Sequence, residues 1–179
     1  MLFRSDESET CYRRVIALEP ADVGAWMELG LVLLDQDRGD DALACFERAA
    51  GLRPGDAVCH YNLGNALNAV GRPDDALVAF RRAVAIRPDY AEAHHNLGAA
   101  LRNAGDREGA ESAFREALRH RPDYAMGRVS LAGLYEQRED YASAEALLRQ
   151  VLAADADDGR AWLCLGRVLL AQEIGRAHV

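Results

Sequence analysis

The sequence predicts an all-α array of antiparallel helical hairpins, and three observations point there. Many residues recur at a fixed step of 34, each unit carries apolar positions at helical spacing, and each is punctuated where two helices would turn and end. The step relates Pro20, Pro54, Pro88 and Pro122, with Ala156 next in the series. It relates Leu29, Leu63, Leu97, Leu131 and Leu165, and likewise Gly30, Gly64, Gly98, Ala132 and Gly166. Ala42, Ala76, Ala110 and Ala144 follow it, as do Phe46, Phe80 and Phe114, with Tyr12 before them and Leu148 after.

Each unit reads as two helices. In the first, Trp26, Leu29, Gly30 and Leu33 occupy one face of a helix. Ala42, Phe46 and Ala49 form the stripe of a second, and the polar run Asp35–Asp40 turns the chain between them. Later units turn at Gly71-Arg72-Pro73-Asp74 and at Gly105-Asp106, and Pro73 suits a first helical turn, where its missing N–H is not needed. Asp22, Asp56, Asp89, Asp123, and Asp157 or Asp158, precede the first helices as expected N-caps, with Asp89 and Glu92 spaced as a capping box. The repeated prolines end the helices before them. Gly30, Gly64, Gly98 and Gly166 fall inside helices, at a local cost of about 1 kcal/mol each. That cost makes sense where the facing helix approaches too closely for a Cβ and Phe46, Phe80 or Phe114 fills the adjoining gap.

Composition bounds the function. The chain has 179 residues, half of them apolar and 28% charged, as in an ordinary folded protein. No apolar stretch reaches the length of a membrane span, so no membrane partner is expected. The start, Met1 to Glu7, turns acidic at once and lacks the apolar core of a signal peptide, which makes a cytoplasmic location the default expectation. The net charge is −8 and every basic residue is Arg, the mark of a GC-rich bacterial genome. An acidic chain without a basic cluster is a poor nucleic-acid binder. Cys11, Cys45, Cys59 and Cys164 show no paired spacing and read as small, reduced apolar side chains.

The pattern W-x2-L-G-x2-Y, then A-x3-F, then P at a step of 34 is the tetratricopeptide signature. Trp26-x2-Leu29-Gly30, Ala42-x3-Phe46 and Pro54 match it, with Leu33 in place of the Tyr. The second and third units keep Leu63-Gly64, Ala76-x3-Phe80 and Pro88, then Leu97-Gly98, Ala110-x3-Phe114 and Pro122, with His60 and His94 where Trp is usual. The fourth, with Arg128, Leu131-Ala132, Tyr135, Ala144 and Leu148, is the most divergent. From about Ser8 to Gln172 the chain resembles the tetratricopeptide-repeat family, which implies a right-handed superhelical solenoid of antiparallel hairpins.

The expected organisation is a partial second helix over 1–22, then repeats at 23–56, 57–90, 91–124 and 125–158, and the first helix of a truncated repeat at 159–172. That last helix, Trp162-x2-Leu165-Gly166-x2-Leu169, would leave an apolar face uncovered, which predicts self-association or a missing continuation. Residues 173–179 break the pattern and resemble the translation of a sequencing adapter, so they are expected to be a non-native tail on a fragment.

The resemblance implies that first helices line a concave groove that meets ligands. With His60, Leu63, Gly64 and Leu67 facing inward, Val58, Asn62, Asn65 and Ala69 fall on the opposite side. One repeat on, Glu92, Asn96, Ala99 and Asn103 share that face, with His95 and Arg102 at its edges. An amide donates and accepts together, so Asn62 and Asn96 suit a peptide backbone of any sequence. The segments Tyr61-Asn62-Leu63-Gly64-Asn65 and His95-Asn96-Leu97-Gly98 also resemble the repeats of O-linked N-acetylglucosamine transferases, where an Asn ladder holds substrates. The expected peptide-binding residues are therefore Tyr61, Asn62, Asn65, His95, Asn96 and Arg102. A clamp for a chaperone's C-terminal carboxylate is disfavoured, because the chain has no Lys and Arg102 alone does not build one.

No catalytic constellation, cofactor loop or metal cluster is recognisable, and the acidic residues mostly fall at helix caps and on solvated faces. Cys59-His60 and His94-His95 sit on neighbouring helices about 8–10 Å apart, too far to share a zinc ion. His60 and His94 stand in for a packing aromatic. The expectation is a non-catalytic scaffold that binds a protein or peptide, without cofactor or metal. The alternative is the substrate-selecting arm of a larger enzyme, such as a glycosyltransferase.

Overall fold

The computed structural model describes the backbone of residues 2–177 and the side chains of residues 6–174. The described residues form α1 (Leu2–Leu18), α2 (Val23–Asp35), α3 (Gly39–Leu52), α4 (Ala57–Ala69), α5 (Pro73–Ile86), α6 (Ala91–Asn103), α7 (Arg107–His120), α8 (Ala125–Gln137), α9 (Tyr141–Ala154) and α10 (Gly159–Ala177). His178 and Val179, the end of the expected non-native tail, lie outside the described residues. The fold is all-α, and no described helix is long and apolar enough to cross a membrane.

Met1–Ala93 and His94–Val179 are two compact units. In the first, α2 packs on α3 and α4 on α5, α3 meets α4, and α1 covers α2. In the second, α7 meets α8, α8 pairs with α9, and α10 lies against α9.

Each hairpin closes on one small-against-large contact. A Cβ on Gly30 would lie 2.6 Å from Phe46 Cζ, and one on Gly98 would lie 2.7 Å from Phe114 Cδ1. Phe46, Phe80 and Phe114 are fully buried, as is Leu148, which takes their place opposite Ala132. A ring of that size removes well over 100 Å² of apolar surface from water, so these positions dominate the cores. The turn inside each hairpin is also repeated. Asp37, Gly71, Gly105 and Glu139, one step of 34 apart, all adopt positive φ, at 58°, 75°, 86° and 61°. This left-handed residue lets the chain reverse within a few residues.

Three of the expected caps are in place, while α6 begins at Ala91, two residues after Asp89, the expected cap of its capping box with Glu92. Asp22 accepts from the Ala25 N–H at 2.8 Å, Asp56 from Val58 at 2.9 Å, and Asp158 from Ala161 at 2.9 Å. Asp123 does not cap α8: Tyr124 holds the N-cap position and makes no side-chain cap bond. The helix begins one residue later than expected, and the Tyr124 ring packs edge-on against His95.

A charged lock repeats as well. The step of 34 relates Glu9, Leu43, Leu77, Glu111 and Glu145. Glu9 pairs with Arg13 and Arg38, each at 2.9 Å, and those bonds hold its carboxyl below the usual carboxylate range. Glu145 pairs with Arg149 at 2.8 Å and accepts from the Gln172 amide at 3.1 Å. Glu111 pairs with Arg115 at 2.7 Å and with Arg138, and accepts from the Tyr135 hydroxyl at 3.4 Å. Acidic side chains are expected mostly at caps and on solvated faces, and Glu111 is an exception, being buried.

Candidate functional site

The six expected residues fall in both units, and the structure surrounds two of them with aromatic side chains. In the first unit Tyr61 on α4 is half-buried, its ring 6.2 Å from Phe80 and 5.0 Å from Tyr90. The Arg87 guanidinium lies 4.4 Å above the Tyr90 ring, within cation–π range. Burial, with Tyr61 and the Glu92 carboxylate nearby, pushes the Tyr90 hydroxyl up to about 12. Asn65 is half-buried, whereas Asn62 is only 8% exposed, less open than an amide free to meet a peptide.

The second unit repeats the stack one step later. His95 on α6 lies 5.5 Å from Phe114 and meets Tyr124 edge-on at 5.3 Å, and the Arg121 guanidinium lies 5.2 Å above Tyr124. His95 is buried at 7% exposure, not at the edge of an open face. Its Nδ1 lies 3.2 Å from Asn96 Oδ1 and its Nε2 lies 3.0 Å from Ser130 Oγ. An amide oxygen only accepts, so Nδ1 carries a proton, and in the neutral ring Nε2 accepts from the Ser130 hydroxyl. Burial lowers the His95 pKa, the Arg102 cation lowers it further, and the Asn96 bond opposes both.

Beside this stack lies a cavity of about 610 Å³, lined by His95, Arg121, Tyr124, Met126, Val129 and Ser130 among others. Tyr124, Ala125, Met126 and Val129 give it an apolar stretch, the charged Arg121, Asp123, Asp158 and Arg160 share the lining, and His95 and Ser130 meet there at 3.0 Å. Such a cavity takes an apolar side chain and offers hydrogen bonds to the polar groups beside it. Tyr90, Tyr124, Arg87 and Arg121 were not among the expected residues. Their signal was present in the repeated tetrapeptide Arg87-Pro88-Asp89-Tyr90 and Arg121-Pro122-Asp123-Tyr124.

The histidines considered for metal have other work. His60 Nε2 donates to the Pro54 carbonyl at 3.0 Å. Trp26 and Trp162, at the equivalent places, donate their indole N–H to the Pro20 and Ala156 carbonyls at 3.0 and 2.8 Å. His60 thus replaces a Trp while keeping its hydrogen bond. His94 stacks on His120, centroids 5.8 Å apart. Among the described residues no three His, Cys, Asp or Glu side chains gather to hold a metal ion.

Repeated hairpins closed by Gly on Phe, with an aromatic stack that recurs one step later, define a helical-repeat protein. The tetratricopeptide-repeat models match residues 22–89, 56–123 and 101–168, and the chain belongs to that family. None of the curated proteins matches its sequence. Among solved structures, the chain resembles MamA at 22% identity and a TM-score of 0.77, over 87% of this chain and 91% of that one. It resembles TTC0263, a thermophilic TPR protein in Thermus thermophilus, at 24% identity and a TM-score of 0.77, over 94% and 92% of the two chains. YrrB, a TPR protein described as having an unusual peptide-binding site, matches at 22% identity and a TM-score of 0.73, over 90% and 83%. At these identities the likeness is one of fold. The resemblance to O-linked N-acetylglucosamine transferase repeats is carried by the two sequence segments alone.

Proposed function

We propose that this chain is a non-catalytic scaffold that binds an extended peptide segment of a partner protein. The observation that carries the reading is the cavity beside His95 and Tyr124, where the apolar stretch of Tyr124, Met126 and Val129 is bordered by the His95–Ser130 pair and by charged side chains. A peptide places an apolar side chain against Tyr124, Met126 and Val129, and its backbone lies along Asn96. Met126 is exposed in the free chain, and its flexible thioether adapts to different side chains. Arg102 tunes this station by its charge. Tyr61 and Asn65 form the equivalent station in the first unit, with Tyr90 and Arg87 completing it and the buried Asn62 behind them. The family's use of such faces for protein contact supports the reading, as does the solved YrrB fold with its peptide-binding site.

The test starts from peptides selected by display on the intact chain. Met126→Glu with Val129→Glu is expected to weaken the selected peptides about tenfold or more, by placing charge in an apolar wall. Asn65→Ala with Asn96→Ala is expected to weaken binding while helicity holds. Selected peptides whose binding ignores both double variants would overturn the assignment.

A further inference from the structure

Successive turns between repeats share one pattern, and one of them lacks a member of it. Arg87-Pro88-Asp89-Tyr90 and Arg121-Pro122-Asp123-Tyr124 each place an Asp two residues after the Arg. One step of 34 earlier the chain reads Arg53-Pro54-Gly55-Asp56. In the second unit Arg121 and Asp123 line the same cavity, so that arginine shares it with a carboxylate of the chain's own. At Gly55 the corresponding carboxylate is missing and its place is open: an added Cβ would meet nothing within 4 Å.

In the first unit that open place belongs to a cavity of about 460 Å³, lined by Arg53, Gly55, Asp56, Ala57, Ile86 and Arg87. The two arginines come from successive repeats and both are exposed. The Arg87 guanidinium lies 4.4 Å above the Tyr90 ring, and a guanidinium stacked this way keeps the N–H donors of its edge. Asp56, the acidic residue of the lining, accepts from the Val58 N–H at 2.9 Å as the cap of α4. The lining therefore sets two cations against one carboxylate already in use, within a chain whose net charge is −8.

We propose, resting on the reading of the chain as a peptide scaffold, that this cavity binds a side-chain carboxylate, Asp or Glu, of the partner's peptide. The occupant is an acidic side chain because the place it fills is one that an aspartate holds one and two repeats later. Hydrogen bonds from a guanidinium to a carboxylate are roughly twice as strong as neutral ones. Attraction to the whole chain does not supply this preference, since an acidic chain repels an acidic peptide. At physiological salt, charges beyond about 8 Å are largely screened, which leaves the local arginines in control.

Peptides selected by display on the intact chain are the probe. Each is made with an amidated C-terminus, beside a copy in which every Asp and Glu is replaced by Asn or Gln. Fluorescence anisotropy is expected to show the acidic peptides binding about fivefold or more tighter than their copies. Arg53→Gln removes one cation, and Gly55→Asp supplies in open space the carboxylate of the later repeats. Each variant is expected to abolish the preference while the copies bind as before, and circular dichroism checks that both stay folded. A selected set without Asp or Glu, copies that bind as tightly as the originals, or a preference that either variant leaves intact overturns the proposal. Met126→Glu with Val129→Glu reads the station beside His95 separately. Where copies match their originals and that double variant still weakens both, the acidic site falls and the station stands. A preference that Arg53→Gln abolishes in peptides indifferent to the double variant removes the station and keeps the acidic site. A chain that selects no peptide overturns both.

Discussion

Gly64 faces Phe80 so closely that a Cβ on the glycine would lie 2.5 Å from the ring's Cε1. The ring is fully buried and has nowhere to retreat. Gly64→Ala is therefore expected to destabilise the chain by about 1–3 kcal/mol through overpacking, despite the gain in helix propensity. Gly166→Ala, at the equivalent place with open space around it, is expected to stabilise by about 1 kcal/mol. Thermal melts of both variants at low protein concentration check the opposite signs.

The left-handed turn residue gives a second pair. Glu139 holds a φ of 61°, which costs a residue with a Cβ about 1 kcal/mol. Glu139→Gly is expected to raise the melting temperature slightly. Gly105→Ala, at a φ of 86°, is expected to lower it by the equivalent of about 1 kcal/mol or more.

Glu111 tests whether the charged lock is needed for stability. Its carboxylate is surrounded by the donors Arg115, Arg138 and Tyr135. Glu111→Leu is expected to stay within about 1 kcal/mol of wild type, since Leu43 packs at the equivalent buried place and both arginines can turn to water. Glu111→Gln is expected to cost more, because its amide group presents a donor to arginines that only donate. Urea midpoints of the two variants decide the order.

His95 makes stability depend on pH. Its pKa in the folded chain is below the ordinary value of 6.5, chiefly because burial disfavours the imidazolium. The unfolded chain then binds more protons as pH falls below 6.5, so its contribution to stability is present above that pH. It is lost progressively down to the folded pKa and levels off beneath it. The groups facing the ring are Asn96, Ser130, Phe114 and Tyr124, with the Arg102 cation nearby. His95→Tyr, which copies Tyr61 of the preceding repeat, is expected to flatten the melting-temperature profile between pH 7 and pH 5 by the His95 share.

Much of this architecture is legible in the sequence. Repetition makes the hairpins plain, since a residue that packs in one unit must pack in the next. Spacing on an ideal helix wheel is less informative about exposure. It sets Asn62 and His95 on or beside an open face, yet both are buried. A wheel describes one helix, and the burial of His95 comes from Tyr124 and Ser130, contributed by a later segment. Glu111 escapes for the same reason: its partner Arg138 lies beyond the next helix.

The sequence by itself determined the helices, the small-against-large closure of each hairpin and the family, because those depend on contacts repeated at one short separation. Only the tertiary structure decided which polar side chains are enclosed and where the aromatic stacks stand. Those outcomes depend on what neighbouring helices bring to a position, and a side chain's environment is set by all the elements around it.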